Sequence, residues 1–415
     1  MKTTTTLLYL LLLAVLGSCD SNSAITLQVH NPMEQERGDA ILMLSRGEIS
    51  GWTTIPEKEL PVLKELDGTY IPCQADDVDG DGSWDELYAL TDLEAGAQQN
   101  IMLEFVPAEE YPEFPVRTNL HLGDARDGYK KLNRADRLEG VSYHNYADIT
   151  GATFQMEGPA WENDLVGFRN YMDQRNGMDI FGKTSPAMVL DRVGVDGEPS
   201  YHEPGEWGLD VLKVGSSLGA GGIGYMYNDS IYRVGDNGSG TYELLFQGPQ
   251  RSRFYLNYSP WMVEEQKLRI SHQIEITAGQ RYYRGTVSYR GSELPLSLVV
   301  GIVNMKSEEL HVIKLNESYT ALYTLDQQSE DGTMLAMALV VPTEYLKETG
   351  ETLDTGDGII QTYYAVLDAS PGDAVPYRFY SLWEKEDPRW AFPEQIESYL
   401  TSEAKRWMQP VVFTN

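Results

Sequence analysis

The stretch LRISHQIEI, residues 268–276, decides how the chain is read. Leu268, Ile270, His272, Ile274 and Ile276 fall on one face, with polar residues between them. A repeat of two is the signature of a strand with one buried face. On that stripe His272 reads as a packing histidine rather than a reactive one. Short segments of the same kind surround it, at 223–227, 230–234, 242–247 and 254–258 before it and at 281–289, 296–302, 321–325, 334–341, 362–368 and 377–382 after it. Asn-Asp or Gly-rich turns separate them. Residues 393–408 differ, because Ile396, Tyr399, Leu400 and Trp407 recur at helical spacing. Many strands, a terminal helix and no alternation of strands with helices predict an all-β protein, built as a large antiparallel β-sandwich.

Upstream, residues 25–30, 70–73, 100–106 and 117–122 also read as extended structure. They predict a small N-terminal β region at 25–123, ahead of a main β-sandwich at 141–415 that carries the site. The charged stretch 124–140 connects the two. Residues 1–18 have the layout of a secretory signal, an apolar run too short to span a bilayer. The run ends Val-Leu-Gly-Ser before Cys19. That pattern resembles a bacterial lipobox, which predicts lipidation at Cys19, a tether at 19–24 and an extracytoplasmic protein of the periplasm or outer membrane. Cys73 would then be the remaining thiol, read as a small buried residue.

A formal charge of -31 argues against nucleic-acid partners, and against membrane contact other than through a lipid anchor. The sequence leaves the oligomeric state open. The acids concentrate sharply in DVDGDGSWDELYAL, residues 77–90. Asp77, Asp79, Asp81 and Asp85, with Gly82 at the turn, have the spacing that wraps hard oxygen ligands around calcium in a structural role. Tyr88 stands where an EF-hand needs glutamate, and a metal-free Asp-Gly turn is the other reading. No nucleotide-binding, serine-hydrolase or zinc-protease motif is present, and no organic cofactor is expected.

Two further stretches mix rings, carboxylates, cations and glycines without a clean period: GPAWENDLVGFRNYMDQRNGMDIFGK (158–183) and YHEPGEWGLDVLKVGSSLG (201–219). This composition predicts a polar cleft for a hydroxyl-rich ligand. Alternation at 165–171 places Arg169 and Tyr171 on one face. His202 lies among acids in a Pro/Gly loop beside Tyr201. Catalytic candidates are therefore His202, Tyr201, Tyr171 and Arg169. Substrate-binding candidates are Trp161, Glu162, Lys183, Trp207, Asp210, Lys213 and Arg253. A buried ion pair with a nearby acid is the rival reading for Arg169.

The lipobox, the Asp-rich loop, GPAWENDLVGFR, DIFGK, YHEPGEWGLDVLKVG and GPQRSRF together resemble one family of bacterial carbohydrate-utilisation lipoproteins of largely unknown function. That family is similar to an oligosaccharide dehydratase of ulvan breakdown. The resemblance implies a galactose-mutarotase-like supersandwich and an acidic oligosaccharide as substrate. It also implies loss of water from a non-reducing-end uronate to give a 4,5-unsaturated sugar. Such chemistry needs a cation at the carboxylate, a base for the C5 proton and an acid for the departing hydroxyl. From residue type and context, Arg169 (with Arg253 or Lys183 second) is the neutraliser. His202 is the base or acid, Tyr201 or Tyr171 its complement, and Trp161 and Trp207 are sugar platforms. The alternatives are a non-catalytic glycan-binding lipoprotein, or a mutarotase or glycoside hydrolase on the same fold. A hydrolase would draw two carboxylates from Glu162, Glu206 and Asp210.

Overall fold

The computed structural model describes residues 24–124, 128, 130–131, 138–142, 154–235 and 239–415. Cys19, the expected signal segment and most of the charged connection lie outside these residues. Among the described residues no helix is long and apolar enough to cross a membrane.

The decisive stretch forms the strand Gln266–Thr277, and Leu268, Ile270, His272, Ile274 and Ile276 are all buried on its inner face. It pairs antiparallel with Arg251–Val263 and Tyr282–Arg290 inside a nine-stranded sheet. His272 packs as expected. Its Nε2 lies 2.8 Å from the Tyr377 hydroxyl, and burial lowers its pKa to about 3, so the ring is neutral. Two five-stranded sheets, one centred on Leu296–Val303 and one on Val166–Asn170, share one apolar core with the nine-stranded sheet. The protein is mostly β, in antiparallel sandwich layers.

The helix Pro393–Met408 covers the outer face of the nine-stranded sheet, burying Ile396 and Leu400 against Tyr323, Ala338 and Tyr380. A second, short helix, Arg46–Trp52, was not read from the sequence. Its signal is the reciprocal cap between Ser45 and Glu48.

The N-terminal residues build a separate core from Leu27, Val29, Leu42, Leu44, Ile101 and Leu103, and Cys73 is fully buried in it. Two strands cross the expected boundaries. Thr118–His121 pairs with Ala160–Asn163 in the main body, and Val412–Thr414 returns to pair with Ile25–His30. The chain's end therefore closes the N-terminal sheet.

Candidate functional site

The first ring-and-ion stretch folds into a sheet of Gly208–Asp210, Met178–Lys183, Val166–Asn170, Ala160–Asn163 and Thr118–His121. Every residue of its three middle strands is buried. The mixed composition of the first stretch marks a sheet covered on both faces, so the expected polar cleft does not lie across these strands. One face enters the core. There Trp161, fully buried, lies 5.9 Å from Phe168 in a stacked contact and 5.3 Å from both Phe254 and Tyr283. Trp161 is core and offers no sugar a face.

The other face lies under an irregular excursion, residues 184–207. Beneath it Glu162 and Lys183 pair at 2.7 Å with side-chain exposures of 0 and 1%. The second Glu162 oxygen accepts the backbone N–H of Val189 (2.8 Å) and Leu190 (2.9 Å), and Lys183 also donates to the Asn163 carbonyl. Both side chains fix the excursion to the sheet, so neither is available to a substrate. At the sheet edge, His121 Nδ1 lies 2.9 Å from Asp191 and its Nε2 2.7 Å from Gln155 Oε1. That contact holds Asp191 below the usual carboxylate range.

Arg169 is 1% exposed and fully engaged. Its Nη2 donates to Asp179 at 2.6 Å, to Asp210 at 2.8 Å and to the Tyr171 hydroxyl at 2.7 Å. Its Nη1 donates to the Tyr201 hydroxyl at 3.2 Å. The guanidinium is framed by the rings of Tyr171, Phe181 and Tyr201 at 4.5, 5.4 and 5.4 Å. The buried-pair reading holds, and Arg169 is not a free neutraliser. Tyr171 is buried too. Its hydroxyl donates to Asp179 at 2.6 Å, and burial and then Asp179 hold it above its ordinary pKa. Tyr171 therefore belongs to the support, not to the substrate. Burial and then Asp210 push Asp179 up to about 7.

The support carries one exposed group. His202, 63% exposed at its side chain, stands with Nδ1 3.4 Å from Asp210 Oδ2. Its ring centroid is 4.2 Å from that of Tyr201. The Asp210 N–H donates to the Tyr201 carbonyl at 2.8 Å, which aligns the loop with the strand. Hydrogen bonding to Asp210 is the main cause that raises the His202 pKa. Asp210 is 3% exposed and holds His202 rather than a sugar.

Tyr201 and Trp207 also line a cavity of about 300 Å³, together with Val189, Arg192, Glu203 and Glu206. Trp207 is half-buried with its edge toward Phe181 at 6.1 Å, so it is still able to present a ring to a sugar. Arg192, an exposed residue of the excursion, was missed. It lies in the gap between the two stretches that drew attention. Two expected binders stand elsewhere. Lys213 is exposed outside the cavity lining, and Arg253 pairs with Glu275 on the nine-stranded sheet.

The Asp-rich loop joins Cys73–Asp76 to Glu86–Leu93. Carboxylate oxygens of Asp77, Asp79 and Asp85 lie within 4.8 Å of one another, a set of hard oxygen donors that suits a metal ion such as calcium. Asp81 is outside that set, its Oδ1 taken by the Ser83 N–H at 2.7 Å. Arg251 binds Asp76 at 2.7 Å and Glu86 at 2.6 Å, so both ends of the loop are tied to the main body.

Residues 29–412 match the family model described as "Domain of unknown function (DUF4861)". The chain belongs to the DUF4861 family. It is 25% identical over 270 residues to "Uncharacterized protein P7" of Formosa agariphila, covering 60% of this chain and 65% of that relative, just under two thirds of its length. Among solved structures, it is similar to an α-mannosidase from Enterococcus faecalis, with TM-score 0.46 and 8% identity over 94% of this chain and 46% of that one. It is also similar to a putative aldose 1-epimerase from Klebsiella pneumoniae, with TM-score 0.28 and 11% identity over 69% of this chain and 95% of that one.

Proposed function

We propose that the protein is an oligosaccharide dehydratase acting at a non-reducing-end uronate. The observation that supports this most is the pairing of His202 and Tyr201, ring against ring, on top of a buried Arg169–Asp210 ion pair. His202 takes the C5 proton, and Asp210 stabilises the imidazolium that forms. The C5 electron pair becomes the C4–C5 double bond and the 4-hydroxyl departs. Arg169 donates to the Tyr201 oxygen, leaving the phenolic hydrogen free for that hydroxyl, which leaves as water. The tyrosinate so formed stays beside the guanidinium and recovers its proton from solvent or from the imidazolium. In this reading Arg192 takes the role first expected of Arg169 and meets the substrate carboxylate, while Trp207 receives a sugar face.

The test is to incubate the full chain with uronate-terminated oligosaccharides and follow ultraviolet absorbance of the unsaturated uronate. A rise that His202→Ala abolishes, with product one water lighter by mass spectrometry, supports the reading. Binding without any new absorbance or mass change sinks it and leaves a glycan-binding protein. Glu203 and Glu206 line the same cavity, and a shorter oligosaccharide in the product would point to hydrolysis instead. The same proposal includes a lipid anchor at Cys19, an extracytoplasmic location and a structural calcium ion at Asp77, Asp79 and Asp85. Fatty-acid labelling that survives in Cys19→Ala would remove the anchor.

A further inference from the structure

A second cavity, of about 360 Å³, opens where the strand Arg37–Ser45, the nine-stranded sheet, the terminal helix and the chain's last residues meet. Junctions of this kind are common ligand sites, and the volume is in the range of small-molecule pockets. Its charges are unbalanced. Arg37, Arg378 and Arg406 line it against two carboxylates, Asp39 and Glu403. Asp39 is already held by both terminal nitrogens of Arg117, at 2.6 and 2.8 Å. Glu403, 2% exposed, faces Arg406 at 3.3 Å.

Arg378 has no ion-pair partner among the described residues. Its Nε is buried without a hydrogen-bond acceptor, and so is that of Arg406. Across the sheet Arg378 stands directly opposite another cation, Arg284, an arrangement that repels. Next to Arg284 in the same row is Glu275, whose carboxylate is taken by Arg253. The guanidinium of Arg378 instead lies over Trp407 at 3.7 Å, with Tyr282 and Tyr319 at 5.7 and 5.9 Å. In a protein of net charge -31, a cationic excess from one buried and two half-buried arginines, walled by rings, is the opposite of what bulk electrostatics would place there.

We infer that this cavity binds a small ring-bodied carboxylate of the sugar-acid type. The carboxylate meets the guanidinium groups of Arg378 and Arg406 where they line the cavity, and the ring lies among Trp407, Tyr282 and Tyr319. The inference does not depend on the reaction proposed for His202, whose loop lines neither this cavity nor its mouth.

The experiment is calorimetric titration of the full chain with glucuronate, glucose and inorganic sulfate. Glucuronate is expected to bind, glucose not to bind, and sulfate to bind more weakly than glucuronate. Arg378→Met should weaken glucuronate by about tenfold or more, the loss of a charge-assisted hydrogen bond. His202→Ala should leave it unchanged, which separates this cavity from the central site. Where Arg378→Met fails to fold by circular dichroism, Arg406→Gln reads the same loss. Equal affinity for glucuronate and glucose, or wild-type affinity in the arginine variants, overturns the inference. Sulfate binding as tightly as glucuronate also overturns it, leaving a bare-anion site.

Discussion

Arg169 and Arg378 are two guanidiniums sunk among aromatic rings in one protein, and they differ in what surrounds the charge. Arg169 has Asp179 and Asp210 within 2.8 Å. Arg378 lies among rings with no carboxylate at salt-bridge distance among the described residues, and Glu403, which lines the same cavity, feels its charge only from farther off. The first arrangement is compensated: two carboxylates and two phenols meet the guanidinium, one Asp210 oxygen stays unpaired, and what emerges is an oriented His202. The second is less complete: Tyr282 is its hydrogen-bonding neighbour, and its Nε has no acceptor. A buried cation supplied with acids is costly to unpair, and that is where the two sites are expected to differ.

The largest expected effect tests that contrast. Arg169→Met leaves Asp179 and Asp210 facing each other unpaired, and should cost roughly 3–5 kcal/mol in urea unfolding. Arg378→Met removes a charge that has no ion-pair partner and should change stability by only about 1 kcal/mol. Equal losses in the two variants would break the distinction.

His202 is where the Arg169 cluster meets solvent, so His202→Ala should change unfolding by less than about 1 kcal/mol and reduce dehydration by at least about a hundredfold. A variant that keeps its rate while Tyr201→Phe loses it would make tyrosine the main proton carrier.

Only the Arg169 side of this contrast is legible in the sequence, and the part that is not has a physical cause. Period-two alternation fixes Gln266–Thr277 because that strand buries a single face, and helical spacing gives Pro393–Met408 for the same reason. Arg169, Tyr171, Tyr201, His202 and Asp210 were all singled out from residue type and loop chemistry, and they do converge. Their roles were not legible. The strands Ala160–Asn163, Val166–Asn170 and Met178–Lys183 are covered on both faces, so polar residues there signal internal pairing. Nothing local says that Glu162 will meet Lys183 or that Trp161 will face Tyr283. Arg378 sits in a plain strand, Val375–Trp383, beside tyrosines, and its isolation depends on which helix covers it.

The Asp-rich loop inverts the Arg378 cavity, gathering the carboxylates of Asp77, Asp79 and Asp85 within 4.8 Å of one another. Calcium should therefore stabilise the protein by about 2.7 kcal/mol at a hundredfold excess over its Kd, with Asp79→Asn removing the gain. Magnesium acting equally, or no effect of either ion in thermal unfolding, would leave an acidic turn whose carboxylates accept from the backbone N–H groups of Val78, Gly80, Asp81, Gly82 and Ser83.

The smallest effect asks whether the compensated arrangement really hands its charge to His202. Asp210 raises the His202 pKa above 6.5 in the folded chain, so the folded state binds that proton more tightly than the unfolded one. The stabilisation is fully present below pH 6.5 and is lost as pH rises through the folded value. The imidazole is 63% exposed, which keeps the contribution under about 1 kcal/mol. In Asp210→Asn, which still accepts from Arg169, the His202 titration followed by NMR should move down toward its ordinary value. The stability difference from wild type should then shrink on going from acid to alkaline pH. An unmoved titration would mean that Asp210 serves Arg169 alone. His202 would then be independent of the buried pair, and only the adjoining Tyr201 would connect it to the Arg169 cluster.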